Sequence, residues 1–334
     1  TEVRVTLITL DSGASKDAYE VDQQIERIYL GIGGSTTSFS EALLANVHRI
    51  KVLHGALRRL KPDVVLSFLP ETNVLSIIAA SLLRLPIVVS ERNNPKRQNL
   101  TFMWRVLRIA SYPFARKVVV QTERIKSYFA YLGNRCVVIQ NFVRKISLPT
   151  GFNSEKKHKK VIAAGRLERA KGFDLLINSF AKNAKQHPNW NLEIWGQGPE
   201  RDALQKLINS LDCSDEIRLM GVSSQLEREM SKATIFVLSS RYEGYPNVLC
   251  EAMACGLPVI SSDCMTGPRE IIDHGVNGFL VPVDDHETLS KQLSILMEDI
   301  ELRGRLGKNA LKVSKTHNIE RIVPIWNEQL GLNG

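Results

Sequence analysis

Short apolar runs alternate with longer stretches of helical period along almost the whole chain. Val3 to Leu10 reads as a strand, and Glu20 to Leu30 holds another short one. From Thr37 to Leu60 apolar residues recur at Leu43, Leu44, Val47, Ile50, Leu53, Leu57 and Leu60, close to the helical period. Lys61-Pro62-Asp63 ends that helix. Val64 to Phe68, Pro86 to Ser90, Lys117 to Gln121 and Cys136 to Gln140 read as buried strands, with a helix from Asn73 to Leu83 after the first of them. Strands that are apolar throughout and alternate with helices predict a parallel sheet covered on both faces.

The second half repeats the pattern. Strands are expected at Val161 to Ala164, Asn191 to Trp195, Ile217 to Met220, Thr234 to Ser239, Leu257 to Ser261 and within Gly275 to Pro282. Helices are expected from Gly172 through Phe180, at Glu200 to Leu211, Gln225 to Lys232, Asn247 to Gly256, Glu287 to Glu298 and Asn318 to Leu330. Between the halves, Arg144 to Lys160 turns polar and lysine-rich, the composition of a linker. The chain of 334 residues therefore divides into a Rossmann-like domain over 1–145, a linker over 146–160, a second Rossmann-like domain over 161–317 and a terminal helix over 318–334.

Composition narrows the class without naming it. The chain is 43% hydrophobic and 24% charged, which is ordinary for a globular protein. The longest apolar run, Val74 to Leu83, is broken by Ser76 and Ser81 and is too short to span a bilayer. None of the five cysteines forms C-x-x-C, which points to free, buried thiols in a reducing cytoplasm. No histidine cluster has metal-ligand spacing, no D-x-D occurs, and no metal or other cofactor is expected.

The net charge of +9 is concentrated. Between Arg84 and Lys126 ten Lys or Arg face two Glu, a balance of +8. Such a patch suits a polyphosphate or an anionic lipid surface. No nucleic-acid motif or stacking series accompanies it, so nucleic acid is not an expected partner. Asn99 to Phe114 interleaves Phe102, Met103, Trp104, Val106, Leu107, Ile109 and Tyr112 with Arg97, Arg105, Arg108 and Arg116 nearby. It reads either as a helix lying on an anionic membrane, each cation adding about 1 kcal/mol, or as a helix packed on the sheet with its arginines solvated.

The densest chemistry lies between Ser239 and Ile260. A buried strand ends at Ser239-Ser240, a polar turn carries Gly244 and Pro246, and a helix opens at Asn247. Strand, tight turn and helix aim backbone N–H groups at an anion. Glu243 precedes the helix and Glu251 lies inside it. A carboxylate repels phosphate but accepts hydrogen bonds from sugar hydroxyls, so a ligand with both parts, a sugar nucleotide, fits the stretch.

Glu243 through Glu251 resembles the E-x7-E motif of the GT-B retaining glycosyltransferases of glycosyltransferase family 4, the "glycosyl transferases group 1" type. Gly165-Arg166-Leu167 with Lys171-Gly172-Phe173-Asp174 resembles the same family's G-R-L…K-G-x-D signature. Gly196-x-Gly198-Pro199, Gly275-x-Asn277-Gly278 and, in the first half, Val138-Ile139-Gln140-Asn141-Phe142-Val143 add to the likeness. Each match is weak alone; their order and spacing together are specific.

The resemblance implies a GT-B α/β fold with two Rossmann-like domains facing a cleft, and a last helix that crosses back to brace the first domain, with Trp326 packed there. It implies transfer of a hexosyl or N-acetylhexosaminyl group from a nucleotide-diphospho sugar, UDP-linked by expectation, with retention of anomeric configuration. Arg166, Lys171 and Glu243 take the catalytic roles. The donor is held by these three with Gly165, Gly196, Gly221, Val222, Gly244, Tyr245, Pro246, Asn247, Val248, Leu249 and Glu251. Glu251 grips the ribose, and Gly221-Val222 lies by the base. Arg166 offers a forked guanidinium and Lys171 a point charge for a departing diphosphate, each charge-assisted bond worth about 1.5–3 kcal/mol.

Glu91, Arg92 and Asn93 follow a strand end and are expected on the acceptor side. Relatives often carry His where this chain has Arg92, and a permanent cation there suits phosphate better than general-base work. A family N-terminal strand and glycine-rich turn are not visible before Val3, as expected of a truncated sequence. The acceptor expected from the resemblance and the charge is a glycan or polyprenyl-diphosphate-linked oligosaccharide, built in the cytoplasm or peripherally at the inner membrane face. Two other functions use such a fold: a UDP-sugar 2-epimerase, which would release no UDP, and a non-catalytic sugar-nucleotide binder.

Overall fold

The computed structural model describes residues 3–13, 21–34, 38–144 and 159–332. The first lobe runs β1 (Thr6–Thr9), β2 (Glu26–Tyr29), α1 (Phe39–Leu60), β3 (Val65–Phe68), α2 (Pro70–Leu82), β4 (Ile87–Ser90), α3 (Phe102–Ser111), β5 (Lys117–Val120), α4 (Glu123–Tyr128) and β6 (Cys136–Val138). β3-β4-β5-β6 form one parallel sheet, and β1 and β2 pair separately, also in parallel. Ile87-Val88-Val89 and Val118-Val119-Val120 are almost wholly buried. Their branched side chains fill both faces of the sheet, as continuous apolar strands require.

α1 starts where the Ser38 hydroxyl accepts from the Glu41 amide, 3.3 Å away, and stops at Lys61, whose φ of 47° turns the chain left-handed. Its expected apolar stripe is only half used. Leu53 and Leu57 enter the core, whereas Leu43, Leu44 and Val47 are exposed on the first turns, which overhang it. The polar stretch 146–158, most of the expected linker, lies outside the described residues.

The second lobe runs β7 (Lys160–Ala164), α5 (Phe173–Ala184), β8 (Asn191–Trp195), α6 (Arg201–Asn209), β9 (Ile217–Gly221), α7 (Leu226–Lys232), β10 (Ile235–Leu238), α8 (Asn247–Ala254), β11 (Val259–Ser262), β12 (Phe279–Val281), α9 (His286–Glu298), α10 (Ile300–Ala310), α11 (Val313–Thr316) and α12 (Ile319–Leu330). Its six strands are parallel in the order β12-β11-β10-β7-β8-β9. The winding reverses between β7 and β10. A doubly wound sheet opens a crevice at that switch point, outside the carboxyl ends of the strands. One core fills each face, the first around Leu176, Phe180 and Ile194 and the second around Phe236, Leu249 and Met253.

Contacts at several places tie the lobes together. α12 returns to the first lobe, where Ile322 packs with Val88, Val119 and Ile139, and Trp326 and Leu330 lie against them. Burying a side chain such as Ile322 contributes about 1.5–3 kcal/mol. At the crossing, the His317 carbonyl accepts from the Val143 amide at 2.7 Å, and its ring bonds the Tyr245 hydroxyl at 2.5 Å. On the opposite side, the Glu270 carboxylate accepts from the amides of Glu123 and Arg124 at 2.9 and 3.3 Å, capping the start of α4 across the lobes.

Candidate active site

The switch point brings the loops after β7 and β10 together. At their base, the Gly165 amide donates to Trp195 O and the Gly196 amide to Gly221 O, lacing three strand ends. A Cβ on Gly196 would stand 1.8 Å from Gly165 O, so only glycine permits that approach. The loop after β7 then makes a short turn at Arg169–Lys171 and enters α5. The loop after β10 is fastened to it: the Arg241 amide donates to Ala170 O at 2.8 Å, and the Ser239 hydroxyl to Lys171 O at 2.9 Å. The Arg241 guanidinium grips Asp174 with two bonds of 2.8 and 2.7 Å and reaches Asp284 at 2.7 Å. Burial opposes ionisation of Asp174, but the Arg241 hydrogen bonds and charge outweigh it and hold the carboxyl below its usual range.

This fastening places Lys171 Nζ 2.7 Å from Glu243 Oε1. The Ser240 hydroxyl donates to the same oxygen at 2.6 Å. Oε2 receives no hydrogen bond from the described residues. Glu243 is 8% exposed, so a desolvated carboxylate is held in one orientation with one oxygen unused. Its backbone carbonyl accepts from the Thr266 hydroxyl.

α8 opens just beyond. Pro246 precedes it and supplies no side-chain cap, so its first amides face outward with roughly half a positive charge. Asn141 Nδ2, from the first lobe, donates to Asn247 Oδ1 at 2.5 Å, at the tip. Glu251 lies four residues further on, about 6 Å along the axis. Burial pushes its carboxyl up, as does nearby Glu227, while Arg144 pulls it down. No hydrogen bond from a described residue reaches that carboxylate.

The first lobe supplies the facing wall. Gly244 touches it so closely that a Cβ would lie 2.7 Å from Arg92 O. Asn94 Nδ2 is 3.3 Å from Thr266 Oγ1, and the Arg97 guanidinium lies over the Tyr242 ring, 5.8 Å from its centre. Between the lobes is a cavity of ≈ 420 Å³, lined by Glu71, Asn93, Arg97 and Gln98 on one side and by Lys171 and Glu243 on the other. Polar groups of both charges and several carboxamides suit a hydroxyl-rich ligand. Leu69 also lines it, with a φ of 75° that a branched side chain rarely adopts.

Several expected site residues stand elsewhere. Glu91 does not reach the cleft. It is fully buried, accepting from Tyr112 at 2.5 Å and Gln98 at 2.9 Å, with Arg108 3.6 Å away. Burial pushes its carboxyl up, against those hydrogen bonds and the Arg108 charge. Arg92 turns toward α12: it bonds Asn141 and stacks over Phe68 and Trp326, at 5.2 and 5.7 Å from their ring centres. Asn93 alone of the three is exposed in the cavity. The side chains of Tyr245 and Leu249 enter the second core, leaving only their backbone to the site. Arg166 stands on the rim, 71% exposed, with its Nε 3.7 Å from Glu168. Gly221 sits at the same edge, and Val222 is exposed beside it.

Arg97, Gln98 and Tyr242 are cavity residues that the sequence motifs do not mark. Glu71 lies in the first turn of α2, directly after β3, where the strand-end rule points.

Residues 147–313 match the family model "Glycosyl transferases group 1", and residues 2–145 match "Glycosyltransferase Family 4". An exopolysaccharide phosphotransferase of Streptomyces coelicolor is 34% identical over 83% of this chain, which spans 29% of that protein. A GalNAc-alpha-(1->4)-GalNAc-alpha-(1->3)-diNAcBac-PP-undecaprenol alpha-1,4-N-acetyl-D-galactosaminyltransferase of Campylobacter jejuni is 28% identical over 97% of this chain and 89% of its own length. The structure of Anabaena HepE in complex with UDP superposes with a TM-score of 0.77 at 20% identity, covering 92% of this chain and 87% of that one. The fold is GT-B: α/β, with parallel sheets in two lobes.

Proposed function

The chain belongs to the glycosyl transferases group 1 family, and we propose that it moves a hexosyl or N-acetylhexosaminyl group from a UDP-sugar to a glycan or polyprenyl-diphosphate-linked acceptor, with retention and without a metal. The observation that carries this is the oriented Lys171–Glu243 pair beside the uncapped tip of α8 at the switch point of the second sheet. UDP bound to a structure of the same fold, and the lipid-linked acceptor in the name of the Campylobacter relative, support the choice of donor and acceptor.

In this account Glu251 accepts from the ribose hydroxyls, a task for an ionised carboxylate that no described residue hydrogen-bonds. The amides of Asn247 and Val248, the Lys171 ammonium and Arg166, swung in from the rim, hold the diphosphate. Glu243 Oε2 accepts from a donor-sugar hydroxyl. When the bond from the anomeric carbon to the phosphate oxygen breaks, its electron pair leaves with the diphosphate. Lys171 and the helix tip stabilise that growing charge most, which is where a catalytic contribution arises. The acceptor hydroxyl attacks from the same face and gives its proton to the departing phosphate oxygen. No side chain is then needed as general base.

On this reading the protein works in the cytoplasm, peripherally at the inner membrane face, with the basic segment 84–126 toward the membrane. No helix among the described residues is long and apolar enough to cross a membrane. UDP release measured with UDP-sugars and supplied acceptors tests the proposal. Acceptor-dependent UDP release is expected; conversion of the donor sugar without UDP release would overturn it in favour of an epimerase.

A further inference from the structure

The helix α3 is turned the wrong way round for a protein surface in water. Phe102, Met103, Val106 and Ile109 are 81, 47, 44 and 55% exposed. Their spacing of one, four and seven residues puts them on one helix face. Phe114, just past the helix end, is 71% exposed and extends the stripe. The inward face carries the polar group: Arg108 is 1% exposed, and Trp104 and Leu107 pack against the core beside it.

Arg108 explains the orientation. Its guanidinium donates to Gln98 Oε1 at 2.6 Å and to the Tyr128 hydroxyl at 2.9 Å, lies 3.6 Å from Glu91 Oε1, and stacks over Phe129 at 5.5 Å. A buried cation with these partners cannot turn out without leaving Glu91 unpaired inside. The apolar stripe is therefore held outward.

Charge identifies what covers it. Arg84, Lys96, Arg97, Arg105 and Arg116 are exposed on the same segment, and the one acid between Arg84 and Thr122 is the buried Glu91. Bulky apolar side chains on a segment rich in exposed cations and without an exposed acid match the boundary between acyl chains and anionic head groups. The same stretch is also a wall of the cleft. Arg97, Gln98, Asn99 and Leu100 line the cavity, and Phe102 follows two residues later.

We propose that the exposed face of α3, with Phe114, docks into an anionic bilayer leaflet and brings the interlobe cavity to the head group of a lipid-anchored acceptor. The second half of this statement rests on the acceptor class proposed above; the docking itself does not. The interlocked Glu91, Gln98 and Arg108 side chains fix the helix to the cavity wall, so a docked α3 sets the height of the cavity above the leaflet.

Flotation of the full chain with vesicles rich in phosphatidylglycerol, and with phosphatidylcholine vesicles as control, tests docking. Wild-type protein is expected to float with the anionic vesicles only, and high salt should weaken this. The Phe102→Ser/Ile109→Ser variant should lower the bound fraction about fivefold or more, and Arg105→Glu/Arg116→Glu should do the same. The thermal midpoint and UDP release with a water-soluble acceptor should stay unchanged in both variants. Wild-type protein that stays off the vesicles, or variants that bind as well as wild type, would overturn the proposal. So would a wild-type dimer that Phe102→Ser/Ile109→Ser converts to a monomer, since a second copy would then cover the stripe. Wild-type flotation and its loss in the variants, with UDP release absent throughout, would instead count against the proposed reaction alone.

Discussion

Lys171 and Glu243 meet at 2.7 Å across the switch point, one from the loop after β7 and one from the loop after β10. Each is in place only if both loops are. Arg241 secures them from behind through Asp174 and Asp284. The pair is thus both a structural joint and the proposed centre of charge transfer, and the two roles separate experimentally.

Lys171→Ala should lower donor turnover at least about tenfold, the loss of one charge-assisted bond to the leaving group. Lys171→Arg should recover part of it. Steady-state UDP release checks both. Near-normal kinetics in Lys171→Ala would remove the ammonium from the diphosphate.

Glu251→Gln separates stability from function. Burial raises the carboxyl's folded value, so ionisation at neutral pH works against folding, and the stability lost with rising pH through that value returns when the charge is removed. The variant should therefore melt slightly higher at neutral pH while binding donor at least about tenfold more weakly, since an amide replaces an ionised acceptor. Differential scanning fluorimetry with and without UDP reads both.

Glu91→Ala should destabilise the first lobe by about 3–5 kcal/mol, because Arg108 would be left buried without its carboxylate. Glu91→Gln should cost less. Either variant, assayed with a water-soluble acceptor where it remains folded, should turn over donor nearly as wild type does. Loss of acceptor affinity in folded Glu91→Gln would restore Glu91 to the cleft.

His317 makes the crossing between the lobes acid-sensitive. Burial, together with Arg321, lowers its ring below the usual histidine value, against the Val313 carbonyl; the Tyr245 and Thr316 hydroxyls face its two nitrogens. The unfolded chain therefore binds the proton first. Stability should hold above the unfolded histidine value of about 6.5 and fall as pH drops from there through the lowered folded value. His317→Gln should flatten that part of the melting profile, measured from neutral pH downward.

Much of the fold was legible because parallel strands buried on both faces carry unbroken branched runs, as Ile87-Val88-Val89 and Ile235–Leu238 do. The packing of the switch-point loops was legible because the close approach of Gly196 to Gly165 O demands glycine. The first-lobe wall of the cavity was not. Glu91 follows a strand end just as Asn93 does, and only the later chain, which brings Gln98 from the next loop, Arg108 from α3 and Tyr112 from just past it over the carboxylate, decides that it is buried. α3 has apolar residues around most of its circumference, so period alone did not say which face turns inward. α10 was missed because Gly304 and Gly307 weaken its signal; a Cβ on Gly307 would stand 2.4 Å from Gly256 O, so glycine there lets α10 pack on the end of α8.

The most direct test of the central claim is a crystal structure of the protein with a UDP-sugar. The diphosphate is expected against the amides of Asn247 and Val248 with Lys171 Nζ on it, and the ribose hydroxyls on Glu251. A nucleotide bound away from the crevice between β7 and β10, or with Lys171 and Glu251 untouched, would contradict the account.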